Sequence, residues 1–332
     1  MEDLFMWHQK FRQMLKIGFS FFCILILLPY VVTILFQGKD GSVLGERGNS
    51  YIKYQADGES KEVLWTDYMM GVLAQELPGK MEPEALKAQT ILLRTALCRE
   101  WEESETGVFT TPYWTEKKLK EKWGIYTQEW KWRLEKAIRE TKGQVLIYQG
   151  TYARTPFHQS SSGQTKDGAE LFGTEEAPYL VSRECPLDKE ATQEMHLYEM
   201  SYAEVRKKCQ TILEAVPKEE AERKLQYEDF IIEEKEESGY VRRVKICGTS
   251  MSGEQFRNFL GLASSAFEFQ KGEEDRLKIV TMGNGHGLGL SQWTAQEMAK
   301  EGKSCEEILN YFFEGTKIEE KEEICDLPQK KE

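Results

Sequence analysis

Three short stretches carry residue types that could do chemistry. The first is "GVLAQELPG", Gly71–Gly79, which places Glu76 beside Leu73 and Leu77 and just before Pro78-Gly79. A carboxyl in apolar surroundings has its charged form disfavoured, so it can hold a proton near neutrality and act as a general acid. The competing reading is a solvated glutamate at a helix end. The second stretch is "FHQSSSGQTKDG", Phe157–Gly168. His158, Ser161 and Ser162 lie there in a loop whose backbone NH and hydroxyl groups could hold an anion or a sugar. A plain exposed loop is the alternative. The third is "GNGHGLGLSQ", Gly283–Gln292, which sets His286 between two glycines and then Ser291 and Gln292 at the start of a helix-like run. Glycines let backbone approach a ligand closely, and a helix start presents free NH groups. Alternatively, His286 satisfies buried backbone in a tight turn.

Other chemistries are disfavoured by the same residues. GxSxG is absent, so Ser291 is not the nucleophile of a hydrolase elbow. GxxxxGK[ST] is absent too, so the glycines are not a phosphate loop. No second His or Cys stands at ligand spacing from His158, so no metal is expected, and no cofactor is implied.

These candidates need elements to hold them. Tyr68, Val72, Leu73 and Leu77 recur at helical spacing, which predicts a helix over Thr66–Leu77 with Thr66 or Asp67 as its cap. Glu82–Trp101 is the strongest helical pattern, with Pro83 in its first turn and a stripe of Leu86, Leu93 and Leu97 flanked by alanines. Glu129–Thr141 reads as a helix, and Gly143–His158 as a β-hairpin turning at Gln149-Gly150. Gly239–Gly248 alternates like a strand, Ser252 can cap a helix over the residues that follow, and Cys305–Phe313 is amphipathic. Asp188–Glu237 is polar and helical in character. Helices and strands mix without a βαβ rhythm, so the fold class is α+β, with mixed helices and antiparallel strands forming a groove.

The chain has 332 residues and a formal net charge of −12, which disfavours nucleic acid as a partner. Ile17–Phe36 runs about 20 residues without a charge, the length that spans a bilayer, behind Lys10, Arg12 and Lys16. The positive-inside tendency gives residues 1–16 to the cytoplasm, a transmembrane helix over 17–36 and the remainder to the outside. The apolar core is long for a cleaved signal peptide, and no small-x-small site follows Phe36 soon after. Residues 37–57 read as a linker, with the globular part beginning near Tyr51. A domain over 58–320 follows, carrying the polar 188–237 segment as an insertion, and then a charged tail, 321–332. Cys98, Cys185, Cys209, Cys247, Cys305 and Cys325 show no CxxC spacing, which leaves both buried thiols and some pairing open.

In this order, "GVLAQELPGKMEPEALKAQTILLRTAL", "PFHQSSSGQTKDGAELFG", "APYLVS" and "GNGHGLGLSQWTAQEMAKEGKSCEEILNYFFEGTKI" resemble the stage II sporulation protein D family, which includes amidase-enhancer proteins. The resemblance covers most of residues 64–318. It implies a membrane-anchored lytic transglycosylase acting on peptidoglycan glycan strands stripped of stem peptides. A cell-wall amidase and a multi-spanning membrane protein are implied as partners in engulfment of the forespore. The family's acid falls on Glu76. Its basic residues fall on Lys87 and Arg94, which could hold a lactyl carboxylate or orient Glu76. A buried structural ion pair is the alternative for Arg94. Its groove tyrosine falls on Tyr179. His286, Ser291 and Gln292 would line the groove or fix Glu76 from behind. Val181 stands where family members often carry a basic residue, and the serine loop lacks the added Cys and His that hold zinc in some members. Two other classes compete: a glycan-binding activator of an amidase, and a membrane-anchored scaffold with no glycan binding.

Overall fold

The strand-forming stretches YIKYQA and ESKEVL pair as an antiparallel hairpin, β1 (Tyr51–Ala56) and β2 (Glu59–Leu64), with Tyr51 opposite Leu64. The computed structural model describes residues 51–321 apart from 57, 169–176, 192–193 and 214–222. The apolar run 17–36, and with it the expected membrane span, lies outside the described residues. Among those residues no helix is long and apolar enough to cross a membrane. β1 occupies residues at the end of the stretch read as linker, because Ile52 and Tyr54 turn inward and are buried.

Helix α1 (Trp65–Glu76) follows β2 without a break. Its N-cap is Leu64, with no side-chain cap, so neither Thr66 nor Asp67 plays that part. The helix starts early because Trp65 is buried against Phe109 and Tyr68, with ring centroids 5.9 and 6.3 Å away. Burial of an aromatic side chain outweighs a cap of about 1 kcal/mol. Helix α2 (Pro83–Glu103) begins with its proline in the first turn, as its missing N–H allows. Leu86, Leu93 and Leu97 are buried as expected, but so are Gln89, Thr90, Arg94 and Thr95. α2 is therefore a central helix, enclosed on nearly all sides, and its alanines permit the close approach.

β3 (Val108–Phe109) joins β1 in parallel. Helices α3 (Glu116–Trp123) and α4 (Thr127–Glu140) pack beside α1. β4 (Gln144–Tyr148) and β5 (Thr151–Tyr152) form the expected hairpin, and its turn residues Gln149 and Gly150 both take positive φ, 48° and 84°. The short β6 (Phe157–His158) leads into the serine loop.

A second core is mostly β. It holds β7 (Met195–Ser201), α5 (Tyr202–Lys208) with a further turn at Gln210–Leu213, β8 (Phe230–Lys235), β9 (Val241–Ile246), β10 (Thr249–Ser252), α6 (Gly253–Leu260), β11 (Phe267–Lys271) and β12 (Arg276–Met282). The strands form two three-stranded antiparallel sheets, β10-β9-β8 and β11-β12-β7. Ser252 caps α6 in a capping box, as expected. The 188–237 segment departs from its helical reading, since it supplies two strands. In β7 the alternation was hidden: Met195 and Leu197 face out and are as apolar as the inward Tyr198 and Met200.

The chain then returns to the first core. β13 (Leu290–Ser291) pairs in parallel with β6, and α7 (Gln292–Lys300) packs on α2. α8 (Cys305–Phe312) also packs on α2, and β14 (Lys317–Glu320) pairs with β4. Mixed helices and antiparallel sheets make this an α+β fold. Cys98, Cys185, Cys209, Cys247 and Cys305 form no disulfide among the described residues.

Candidate active site

Glu76 is the last residue of α1. Its side chain is exposed at the surface, yet burial around it raises its carboxyl above the ordinary value. The negative end of the helix dipole acts in the same direction. The backbone behind it is held firmly. Gln292 Nε2 donates to the Glu76 carbonyl at 2.9 Å and lies 3.3 Å from Gln89 Oε1. The Glu82 N–H donates to Gln296 Oε1 at 2.6 Å, and the Arg133 guanidinium donates to the Met81 carbonyl. The turn between α1 and α2 is thus clamped from α7 on one side and α4 on the other. Such fixing of an acid by its neighbours keeps it in one position without neutralising it.

The basic residues of α2 do different work. Lys87 Nζ pairs with Glu84 at 2.8 Å and Glu140 at 3.1 Å. Arg94 is 1% exposed and binds the end of α4. Its guanidinium donates to the Thr141 carbonyl at 2.6 Å, the Gln144 carbonyl at 3.1 Å and the Ile138 carbonyl at 3.1 Å. The Ile138 and Thr141 carbonyls lie at the C-terminal end of α4 and the Gln144 carbonyl at the start of β4, so the guanidinium closes the α4–β4 junction. Seven-residue spacing put the two on one stripe, but both are turned to protein partners: Arg94 is fully buried, and the half-buried Lys87 is held by two carboxylates. Tyr179 is also buried. Its ring packs against Tyr148 at 4.8 Å with the planes tilted by 53°, and its hydroxyl accepts from the Arg154 N–H at 2.6 Å.

The serine loop is interior, not an exposed loop. Ser160, Ser161 and Ser162 are all buried. The Ser161 N–H donates to Asp188 Oδ2 at 2.6 Å, and Ser162 Oγ donates to the Ser238 carbonyl at 2.5 Å. Asp188 is the knot. Its Oδ2 also accepts from Ser291 Oγ at 2.8 Å, and its Oδ1 from Thr294 Oγ1 at 2.6 Å. Ser291 in turn caps α7 by accepting from the Thr294 N–H at 3.3 Å. One buried carboxylate therefore joins the serine loop to the start of the helix that holds Glu76.

The glycine-rich turn packs against the protein. At Gly287 (φ 81°) an added Cβ would meet the Tyr240 ring at 2.4 Å, and at Gly289 (φ 67°) the Pro156 carbonyl at 2.0 Å. The space that glycine leaves is filled from within, so it is not an opening for a sugar. Leu288 fixes both histidines. Its N–H donates to His286 Nδ1 at 3.0 Å, and its carbonyl lies 3.0 Å from His158 Nδ1. The His286 proton therefore sits on Nε2 and the His158 proton on Nδ1. Burial lowers both, His158 to about 3, so both rings are neutral at pH 7.

Sequence reading missed Asp188, Gln89 and a charged cluster behind His286. There Lys166 Nζ donates to Ser265 Oγ at 2.9 Å, lies 3.5 Å from Glu254 and sits 4.5 Å over the Tyr240 ring. Burial lowers the Lys166 ammonium. The partners stand about 70–100 residues away in sequence, and no local signal connects them. Among the described residues no group of three or more His, Cys, Asp or Glu comes together to hold a metal.

Comparison with known proteins adds an independent line. A family model described as "Stage II sporulation protein" matches residues 54–148, the part that carries Glu76, α2 and α4. The stage II sporulation protein D of Bacillus subtilis is 31% identical over 269 residues, covering 76% of this chain and 74% of that protein. That of Bacillus amyloliquefaciens is 28% identical over 337 residues, covering 90% and 93%. The amidase enhancer of Bacillus subtilis is 24% identical over 294 residues, covering 75% of this chain and 40% of that protein.

Proposed function

Since the chain belongs to the stage II sporulation protein D family, we propose that it is a membrane-anchored lytic transglycosylase that cuts denuded peptidoglycan strands during sporulation. One observation carries this reading: Glu76 has a raised carboxyl at an exposed helix end whose backbone is clamped by Gln292. A carboxyl raised by burial holds its proton to higher pH than an ordinary glutamate, and at a helix end open to solvent it can protonate a leaving oxygen.

The reaction needs only that group. Glu76 donates its proton to the glycosidic oxygen as the C1–O bond breaks. The resulting carboxylate takes the proton of the muramic C6 hydroxyl, and the C6 oxygen closes on C1 to give a 1,6-anhydro end. Hydrolysis would instead call for a second carboxylate to activate water or to form a glycosyl intermediate. The buried acids Asp188 and Glu194 and the half-buried Glu254 are committed elsewhere: Asp188 to the serine loop and α7, Glu194 to Gln159, and Glu254 to Arg257 and Lys166. With the Lys87 and Arg94 cations occupied by protein partners, any contact to a lactyl carboxylate is left to other groups.

The test is mass spectrometry of denuded glycans incubated with wild type and Glu76→Gln. New 1,6-anhydromuramic ends from the wild type alone support the reading. Reducing ends mean hydrolysis. The likeness to an amidase enhancer supports a second reading, a non-catalytic glycan-binding activator of a cell-wall amidase. It predicts glycan binding without cleavage, and a faster amidase when the chain is added.

A further inference from the structure

The tip formed by α3, the turn Gly124–Tyr126 and α4 carries three exposed large apolar side chains close together in sequence. Ile125 is 89% exposed, Tyr126 59% and Trp132 59%. Trp132 lies one and a half turns into the helix that Tyr126 leads into, about 8–10 Å along its axis. Below them Trp123 and Trp130 stack on each other at 5.5 Å and 17°, which gives the tip a rigid base. Lys122 lies over the Trp114 ring at 5.5 Å and Lys136 over Trp132 at 5.3 Å, so basic groups ride on the aromatic ones. Apart from Arg133, whose guanidinium donates to the Met81 carbonyl, residues 116–136 carry six Lys against four Glu, in a chain of net charge −12.

We infer that this tip docks on an anionic lipid surface, with Ile125, Tyr126 and Trp132 entering the headgroup layer and the lysines meeting lipid phosphates. Exposed aliphatic and aromatic side chains fringed by lysine suit the boundary between headgroups and acyl chains. Lysines near an anionic lipid surface add electrostatic attraction that salt screens. A sugar platform fits less well. Ile125 has neither a flat face nor a hydrogen-bonding group, and Trp123 and Trp130 spend their faces on each other. Chain length agrees: residues 37–50, at most about 3.5 Å each when extended, keep the folded domain within about 50 Å of a bilayer spanned by residues 17–36. That last point rests on the membrane-anchored reading above. The exposed tip and its charge do not.

The test reads Trp132 in the full chain. Wild type and Trp132→Phe are reconstituted in vesicles of phosphatidylglycerol and phosphatidylcholine, with plain or brominated acyl chains. Their difference isolates the emission of Trp132. Brominated lipid is expected to remove the greater part of it. Ile125→Asp, at an exposed position that leaves the fold intact, is expected to restore it. Purely zwitterionic vesicles are expected to quench less. Retention of the chain after an alkaline wash reports the anchor separately. A retained chain with unquenched Trp132 overturns the tip and spares the anchor. Quenching in a chain that the wash removes supports the tip and sinks the anchor, and a chain that neither floats with vesicles nor is quenched overturns both. Trp132 emission that responds to denuded glycan but not to lipid assigns the tip to the glycan and overturns the proposal.

Discussion

The turn after α1 and the glycine-rich turn before α7 meet through Gln292, yet they are built in opposite ways. Around Glu76 the backbone is held and the carboxyl is left exposed and raised. Around His286 many polar groups are spent on the protein itself: Leu288 on both histidines, Asp188 on Ser161, Ser291 and Thr294, while His158 Nε2 and Ser160 Oγ are buried without a hydrogen-bond partner. The first arrangement leaves a raised carboxyl open to solvent. The second stores position. Serine, histidine and glycine look catalytic in a sequence because they are adaptable hydrogen-bonding and backbone residues, and a buried junction between two cores needs the same properties.

That contrast can be broken at its strongest point. Glu76→Gln should cost about 10²–10⁴-fold in glycan cleavage while leaving the melting temperature near wild type, because only a proton donor is lost. Wild-type cleavage should persist to higher pH than an ordinary glutamate allows, and fall as pH rises through the raised Glu76 value. An unchanged rate in Glu76→Gln, measured on the same glycans, would remove it as the acid.

The opposite result is expected at Asp188. Asp188→Ala strands the Ser161 N–H and two hydroxyls in the interior, at a cost of about 3–5 kcal/mol in denaturant unfolding. Asp188→Asn, which keeps an acceptor, should cost less. A stable Asp188→Ala protein that fails only in catalysis would mean that the knot takes part in the chemistry.

Gln292→Ala sharpens the link between the two turns. It frees the Glu76 carbonyl and should cost about 1 kcal/mol of stability, together with a drop in cleavage that leaves glycan binding intact. Equal losses in binding and cleavage would place Gln292 against the substrate instead.

The smallest effect concerns the buried imidazoles. His158 titrates near 3 when folded and near 6.5 when unfolded, so its contribution is complete above the unfolded value and is lost as pH falls towards 3. Stability should therefore decline across that window, and His158→Asn should flatten the decline. An identical slope in the variant, followed by thermal unfolding at stepped pH, would count against a neutral buried ring.

Much of this architecture was legible beforehand. The helix around Glu76, the proline-led α2, the Gln149-Gly150 hairpin and the capped α6 rest on local rules: apolar spacing, a missing N–H, positive φ, a capping serine. β7 was not legible, because its outward Met195 and Leu197 are as apolar as its inward side. The cap of α1 was misplaced, because burial of Trp65 set the start of the helix. Lys87 and Arg94 share a stripe by arithmetic alone, and only the packing of α4 and β4 shows what that stripe faces.

The sequence by itself determined which residues could react, where most elements run and which family the chain resembles, since those depend on residue type and short spacing. Tertiary structure decided which of them are free to react. Asp188 meets Ser291 across 103 positions, and Gln292 meets Glu76 across 216. Desolvation and hydrogen-bond satisfaction are set by such distant neighbours, so they separate the exposed acid from the buried scaffold only once the chain has folded.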